Sequence, residues 1–151
     1  ILHRGLITDA AITVPAGVID KQSKNLIEIT RMALESGIKA AQPGNTIGDI
    51  GAAISKVVQS SGFTLADNLV GHGVGYRVHE DPLIPNFGIA GRGEKLVPGL
   101  VIALEPMVNV GKSGIKILLD GYTIKTGDGS RSAHFEHSIA ITEKGNIILT
   151  L

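Results

Sequence analysis

The spacing of apolar positions predicts two helices in the first half of the chain. Apolar and small side chains recur on one helical face over about residues 21–42, where Asp20 can cap the N-terminus and Pro43 ends the pattern. A second amphipathic segment begins at Thr46, whose spacing to Asp49 is that of a capping box, and it closes at a Ser-Gly pair. The pattern therefore predicts a pair of consecutive helices.

Strand patterns occupy the rest of the chain. Residues 5–14, rich in β-branched side chains, predict a strand with Asp9 inside it. After the helices, further strands are predicted at 63–65, 100–104, 115–119, 122–125, 132–142 and 147–151. Residues 81–99, rich in proline and glycine, predict a long ordered loop. A strand, two helices and then a run of antiparallel strands define the α+β class.

Composition narrows the class of protein. The chain has 151 residues and 43% hydrophobic content, enough for one folded domain with a real core. Fourteen basic and fourteen acidic residues give no net charge, which argues against a nucleic-acid or membrane-surface binder. The lack of cysteine excludes a disulfide scaffold, a thiolate metal site and a cysteine nucleophile. Because the first residue is Ile1 and not methionine, we expect the chain to be a fragment or to have lost a leading part.

Four polar residues in apolar or glycine-rich surroundings predict a metal site. His72 lies among three glycines, which permit the close approach of other groups. Glu105 and Glu136 lie at the end or in the middle of apolar strands, where a carboxylate is costly unless it is paired or bound to a metal. Together with Asp9, this set of oxygen and imidazole ligands suits Mn, Fe, Co or Zn, as one ion or as a carboxylate-bridged pair.

Each of these residues also has an ordinary structural interpretation. Asp9 alone is more typical of a turn or cap, Glu105 before a proline can end a strand in solvent, and His72 can occupy a glycine turn. Glu136 can form an exposed pair with the histidine that follows it, although strand alternation places it on the more polar face, together with His134. His134 itself is interpreted as a surface or structural residue.

Five spaced motifs resemble the C-terminal part of type I methionine aminopeptidases, and the resemblance covers essentially the whole chain. The motifs are Gly71-His72-Gly73-Val74-Gly75, His79-Glu80-Asp81-Pro82, Pro85-Asn86-Phe87-Gly88, Leu104-Glu105-Pro106-Met107-Val108-Asn109-Val110-Gly111 and Ser132-Ala133-His134-Phe135-Glu136-His137. The resemblance implies the pita-bread (creatinase/aminopeptidase) fold, here as a single catalytic domain over residues 1–151 that lacks the family's N-terminal portion. It also implies hydrolysis of the first peptide bond of polypeptides, with removal of the initiator methionine.

The resemblance also assigns roles to individual residues. Thr8-Asp9-Ala10, followed by the helix pair, also resembles the family. By matching motifs, Asp9, His72, Glu105 and Glu136 would be metal ligands, with Asp9 and Glu136 shared between two ions. Glu105 would also act as general base, and His79 would donate a hydrogen bond to substrate near the scissile amide. The family binds two divalent ions (Co, Mn, Fe or Zn), but a further aspartate that chelates the second ion would lie before residue 1. The four remaining ligands are enough for one ion.

Two positions depart from the family's usual pattern. Val78 stands where the family usually has phenylalanine, and Tyr122 stands where it usually has tryptophan. Both would line the pocket for the methionine side chain, and both substitutions reduce its apolar wall, so we expect weaker methionine selectivity.

The resemblance further implies the N-terminal peptide of nascent proteins as substrate, no nucleic-acid or membrane partner, a monomer, and a cytoplasmic location. Two alternatives stay open at this point. One is a non-catalytic pita-bread relative that binds peptides or proteins, and the other is an inactive fragment.

Overall fold

The computed structural model describes residues 1–150 and confirms both predicted helices. In chain order the elements are β1 (Leu2–His3), β2 (Leu6–Ile7), β3 (Ala10–Ala11), α1 (Lys21–Ala40), α2 (Ile47–Ser60), β4 (Thr64–Leu65), β5 (Val70–Gly73), β6 (Glu80–Pro85), β7 (Val101–Leu104), β8 (Met107–Asn109), β9 (Ile115–Ile117), β10 (Ile124–Thr126), β11 (Ser132–His134), β12 (Glu136–Thr142) and β13 (Gly145–Ile148). The Asp20 carboxylate accepts the Ser23 N–H at 2.7 Å, which caps α1. The Asp49 carboxylate accepts the Thr46 N–H at 2.8 Å, which closes the first turn of α2.

The two helices pack closely through a glycine. A Cβ atom on Gly37 of α1 would lie only 2.8 Å from Cγ1 of Ile54 on α2, so glycine lets the helices approach. Ile54, Ile50 and Leu34 are almost wholly buried in the same apolar core. The helix pair is therefore the apolar layer against which the strands pack.

A six-stranded antiparallel sheet is the centre of the strand region. Its order is β13-β12-β7-β5-β6, and β3 pairs with β12 beside this path. A second, three-stranded sheet has the order β11-β8-β4, and β9 pairs with β10 as the predicted hairpin. Two helices followed by antiparallel strands confirm the α+β class.

The alternation of side chains along β12 divides the central sheet into an apolar and a polar face. Ile139 and Ile141 are buried in the core with the helices. Glu136 and Ser138 point to the opposite face, because side chains on a strand alternate. The polar candidates on this strand therefore lie away from the helical layer.

The prediction of a single strand over residues 5–14 was wrong. The segment forms β2 and β3, and Asp9 lies between them. The Asp9 N–H donates to Ser138 Oγ at 2.8 Å, and the Ser138 hydroxyl donates to the Asp9 carbonyl at 2.8 Å. A side chain therefore satisfies the backbone of Asp9, which does not take part in a strand ladder.

Other boundaries also differ from the prediction. Residues 132–142 are broken at Phe135, because β11 pairs with β8 while β12 pairs with β7. The predicted loop over 81–99 begins as β6, which pairs with β5. The last strand is Gly145–Ile148, and Leu151, part of the predicted strand, lies outside the described residues. Within residues 1–150, neither helix combines the length and apolar character that crossing a membrane requires.

Candidate metal centre

Neighbouring strands of the central sheet bring three of the predicted ligands to one place. His72 on β5 pairs with Ala103 on β7, and Glu105 follows the end of β7. His137 on β12 pairs with Leu104, so the same register places Glu136 across from Glu105. Like charges opposite each other in a sheet are destabilising. The arrangement therefore needs a compensating positive charge.

The glycines beside His72 are required by the packing of the sheet. A Cβ on Gly71 would collide with the carbonyl oxygen of Ala103, and one on Gly73 would collide with that of Asp81. The pairing of β5 with β6 also shifts register between His72 and Gly73. Such bulges redirect a side chain locally. The glycine-histidine motif thus displays the imidazole at the end of a crowded strand.

Hydrogen bonds fix the orientation of the His72 ring. Its Nδ1 lies 2.9 Å from the carbonyl oxygen of Gly73, a contact in which Nδ1–H donates. Its Nε2 lies 3.2 Å from Oε1 of Glu105, and this hydrogen bond is the main cause of the raised pKa of His72. The ring of His79 stands edge-on to that of His72, with centroids 4.5 Å apart and planes at 88°. A histidine whose Nδ1 bonds a backbone carbonyl has Nε2 available for a metal.

The donor set fits a divalent cation. Asp9, His72 and Glu136 each contribute one ligand atom, and these atoms lie within 4.8 Å of one another. Glu136 is 4% exposed, and its Oε1 has no hydrogen-bond partner within residues 1–150. Burial, and then the charges of Glu105 and Asp9, raise the pKa of Glu136 to about 7. A bound cation would stabilise the carboxylate that this environment otherwise disfavours.

His134 is the functional candidate that sequence reasoning missed. Its Nε2 lies 3.6 Å from Oε2 of Glu105 and 3.9 Å from Oε2 of Glu136. Burial lowers the pKa of His134, which favours the neutral imidazole. The sequence carried a signal for this position, because alternation placed His134 and Glu136 on the same strand face.

The ligand cluster borders a large cavity. The cavity has a volume of about 800 Å³, and His72, His79, Glu105 and His134 are among the residues that line it. Its apolar lining residues are Ala66, Leu69, Val70, Leu83, Met107, Ile115 and Ile124. A pocket that combines apolar walls with a few converging polar groups is typical of a binding site for small molecules or chain ends.

The two predicted pocket residues are not among those that line this cavity. Val78 is 42% exposed and Tyr122 is 89% exposed, and neither lines the cavity. Tyr122 lies in the turn between β9 and β10, where Asp120 accepts its N–H at 2.9 Å. That both residues contact substrate stays a prediction.

The backbone around Glu105 is held by a buried amide. Asn86 is 3% exposed, and its Nδ2 donates to the carbonyl oxygens of Glu105 at 3.2 Å and of Leu69 at 3.3 Å. Asn86 therefore ties the chain segment that carries Glu105 to the segment that leads into β5. This contact gives a physical role to the Pro-Asn-Phe-Gly motif.

An antiparallel sheet thus brings three carboxylates and a histidine together beside a cavity, an arrangement that can hold a divalent cation. The sequence profile of metallopeptidase family M24 matches residues 1–143. The chain belongs to this family.

Individual relatives agree with this assignment. The chain is 46% identical to a methionine aminopeptidase of Clostridium perfringens over 147 residues, which covers 97% of this chain and 59% of that protein. It is 46% identical to methionine aminopeptidase 1 of Bacillus subtilis, covering 94% and 57%. The crystal structure of a methionine aminopeptidase from Thermotoga maritima superposes with a TM-score of 0.95 at 47% identity, covering 99% and 60%. The pita-bread fold is therefore confirmed, and the chain spans about 60% of the length of these relatives.

Proposed function

We propose that this chain carries the catalytic site of a metal-dependent aminopeptidase, and that the reaction at this site removes N-terminal methionine from polypeptides. The observation that carries the proposal is the meeting of Asp9, His72, Glu105 and Glu136 at the edge of the 800 Å³ cavity. Similarity to proteins named methionine aminopeptidase at 46–47% identity supports the substrate class.

Asp9, His72, Glu105 and Glu136 are the residues that would hold the metal. When bound, a divalent ion supplies Lewis-acid polarisation of the scissile carbonyl and lowers the pKa of water. The hydrogen bond from His72 Nδ1–H to Gly73 keeps Nε2 turned towards Glu105, so the ligand set is organised by the fold itself. Which of Co, Mn, Fe or Zn is physiological, and a cytoplasmic location, stay predictions.

We assign the proton transfer in the proposed reaction to Glu105. Its side chain is 14% exposed and lines the cavity, so it can contact both water and a bound peptide. We assign to the Glu105 carboxylate the removal of a proton from the attacking water. Oxygen then adds to the carbonyl carbon, the C–N bond breaks, and the proton passes to the leaving amine.

We assign to His79 the binding of the peptide near the reacting bond. Its ring contacts the ring of His72 and also lines the cavity, so His79 is a direct neighbour of a proposed metal ligand. An imidazole N–H there can donate to the substrate carbonyl, where negative charge develops. The apolar wall that includes Leu69, Leu83 and Met107 suits an unbranched apolar side chain.

The first experiment is manganese- or cobalt-dependent hydrolysis of a Met-Ala-Ser peptide by this chain. Methionine should be released when the metal is present, and a chelator should abolish this release. Glu105→Ala should lower kcat/KM at least about 100-fold, because both a base and a ligand are removed. Glu94→Ala is the matched control, since Glu94 is an exposed loop residue away from the cavity.

Two results would contradict the proposal. Unchanged kcat/KM in Glu105→Ala would exclude the assignment of the base. Metal binding by a folded chain that releases no methionine would favour a non-catalytic relative that binds peptides.

A further inference from the structure

We propose that Arg77 determines which peptides bind best, by pairing with a carboxylate on the third residue of the peptide. This carboxylate can belong to an acidic side chain or to the free C-terminus of a tripeptide, since both present the same group. Arg77 lies in the segment between β5 and β6, outside the ligand cluster. The inference rests on the peptide substrate proposed above.

Arg77 is a cation on the cavity wall without an ionic partner in the described chain. Among the described residues that line the cavity it is the only arginine, and its side chain is exposed. Within residues 1–150, the arginines that form ion pairs are Arg31 and Arg131. A guanidinium carries five N–H donors in a planar fork that matches a carboxylate. The fork of Arg77 is therefore available to a peptide in the cavity.

Hydrogen bonds hold the backbone of Arg77 in place. Its N–H donates to Oε1 of Glu80 at 2.6 Å, so this carboxylate oxygen is bonded to the backbone and not to the guanidinium. The Gly75 N–H donates to the Arg77 carbonyl at 3.2 Å, and the Ile7 N–H donates to the Gly75 carbonyl at 2.7 Å. The segment is thus tied both to itself and to β2. When a ligand binds, only the side chain of Arg77 has to be ordered.

The short distance along the chain from Arg77 to His79 indicates which peptide residue Arg77 can reach. His79 is assigned above to the scissile bond, and both residues line the same cavity. Two residues of chain span at most about 7 Å, and an extended peptide advances about 3.4 Å per residue. Because the first residue of the proposed substrate is methionine, the carboxylate must lie beyond the scissile bond. A span of about 7 Å beyond that bond includes the third residue.

Other charges on the cavity wall give alternatives that an experiment can separate. Glu80 and Asp81 also line the cavity, and Lys125 adds a second cation. If the two carboxylates outweigh Arg77, a peptide carboxylate is repelled and a neutral peptide binds better. If Arg77 only contacts water, a charge on the third residue has no effect. The sign of the preference for a charged third residue therefore distinguishes the three cases.

Isothermal titration of the metal-free chain measures this preference without hydrolysis. The first two probes are Met-Ala-Asp-amide and Met-Ala-Asn-amide, which differ in the charge of the third side chain but hardly in its shape. We expect the Asp peptide to bind about 3-fold more tightly, as is typical of an exposed ion pair. The ratio should approach 1 at about 1 M salt, because exposed charges are then screened. Met-Ala-Asn with a free C-terminus is the third probe, and a gain over its amide would identify the terminal carboxylate as a source.

Substitutions of Arg77 assign the preference to this side chain. Arg77→Ala should remove the gain, and Arg77→Glu should reverse it, so that Met-Ala-Lys-amide binds better than Met-Ala-Asp-amide. A purely structural role of Arg77 would not produce this reversal. Arg77→Lys keeps the charge without the fork and should retain part of the gain. Arg92→Ala is the matched control and should leave the ratio unchanged, because Arg92 is an exposed loop arginine that does not line the cavity.

Three outcomes would overturn the inference: no gain for either carboxylate peptide over Met-Ala-Asn-amide, tighter binding of the neutral amide, or a gain that persists in Arg77→Ala. Its failure is separable from that of the proposed function. A gain that depends on Arg77, without release of methionine when manganese or cobalt is added, would keep the carboxylate site and reject the aminopeptidase. Release of methionine from all three peptides with equal kcat/KM and equal affinity would do the reverse. A chain that binds none of the peptides would reject both.

Discussion

The helix pair and the ligand cluster are both largely buried, but their interiors are organised in opposite ways. Around Ile54 and Gly37 the side chains are apolar and in close contact. At the polar end of the sheet, Glu105 and Glu136 lie across from each other, and buried atoms of Glu136 and His134 have no partner among the described residues. Burial stabilises the first region and costs free energy in the second.

This difference indicates that the two faces of one sheet have separate tasks. Ile139 and Ile141 on β12 pack into the helical layer, while Glu136 on the same strand belongs to the ligand cluster. A substitution on the apolar face should therefore change the free energy of unfolding and leave metal affinity unchanged. A substitution on the polar face should change metal affinity and have little effect on the free energy of unfolding. Two of the following predictions test this separation, and the third tests a carboxylate in a different environment.

The largest effect on stability is expected from Ile54→Ala in the helix pair. Ile54 is fully buried, so the substitution removes apolar contacts and leaves a cavity. The free energy of unfolding should fall by about 2–5 kcal/mol. Urea denaturation measures this loss, and a Co²⁺ titration of the folded variant should give the unsubstituted affinity. Met32→Ala, an exposed position on α1, is the control and should cost far less. A large loss of metal affinity in folded Ile54→Ala would show that the two regions are coupled.

A smaller effect of opposite sign is expected from Glu136→Gln. In the presence of a chelator at alkaline pH, removing a buried carboxylate from beside Glu105 and Asp9 should leave the free energy of unfolding unchanged or raise it by about 1 kcal/mol. Metal affinity should fall sharply, because Glu136 is one of the three residues whose candidate ligand atoms lie within 4.8 Å of one another. Chelator-dependent thermal melts and Co²⁺ titrations measure the two quantities.

Glu143→Gln is the matched control for that substitution. Glu143 is an exposed carboxylate in the turn after β12, so neither stability nor metal affinity should change. If metal-free Glu136→Gln were clearly less stable than the unsubstituted chain, the carboxylate would have a structural role that the comparison denies.

The helices were predictable because their signals are local. The apolar spacing of α1 and the Asp20 cap lie within a single stretch of chain, and the structure reproduces both. The interruption between β2 and β3 was not predictable in this way, because the environment of Asp9 depends on Ser138, which is 129 positions away in sequence. The break at Phe135 has a similar cause, since its two flanking strands pair in different sheets.

The candidate site shows the same limit in its individual residues. His72, Glu105 and Glu136 stood out because each is a polar residue in an unusual sequence context. His134 did not stand out, since an imidazole in a strand is unremarkable until the pairing of β8 with β11 brings the segment that carries Glu105 beside it. Val78 and Tyr122 were identified by motif alone, and neither lines the cavity of the described chain. Motif position thus identifies a residue, but the register of the strands determines its neighbours.

The smallest effect is expected from Asp128→Asn, which contrasts an exposed carboxylate with the buried Glu136. The Asp128 carboxylate accepts the N–H groups of Lys112 at 2.8 Å and Ser130 at 2.9 Å, and these bonds lower its pKa to about 2. Because the pKa is lower in the folded chain than in the unfolded chain, Asp128 stabilises the fold above about pH 4, and this contribution is lost as the pH falls towards about 2. Asp128→Asn should therefore lower the urea midpoint at about pH 5 and leave it nearly unchanged at about pH 2. Asp128→Glu keeps the charge but moves the carboxylate by one methylene, so it separates the effect of hydrogen-bond geometry from that of charge. An equal change in the midpoint of Asp128→Asn at both pH values would mean that the carboxylate's ionisation contributes nothing. In that case only Glu136, whose pKa is raised, would remain as evidence that the environment of a carboxylate in this fold changes the contribution of its charge to stability.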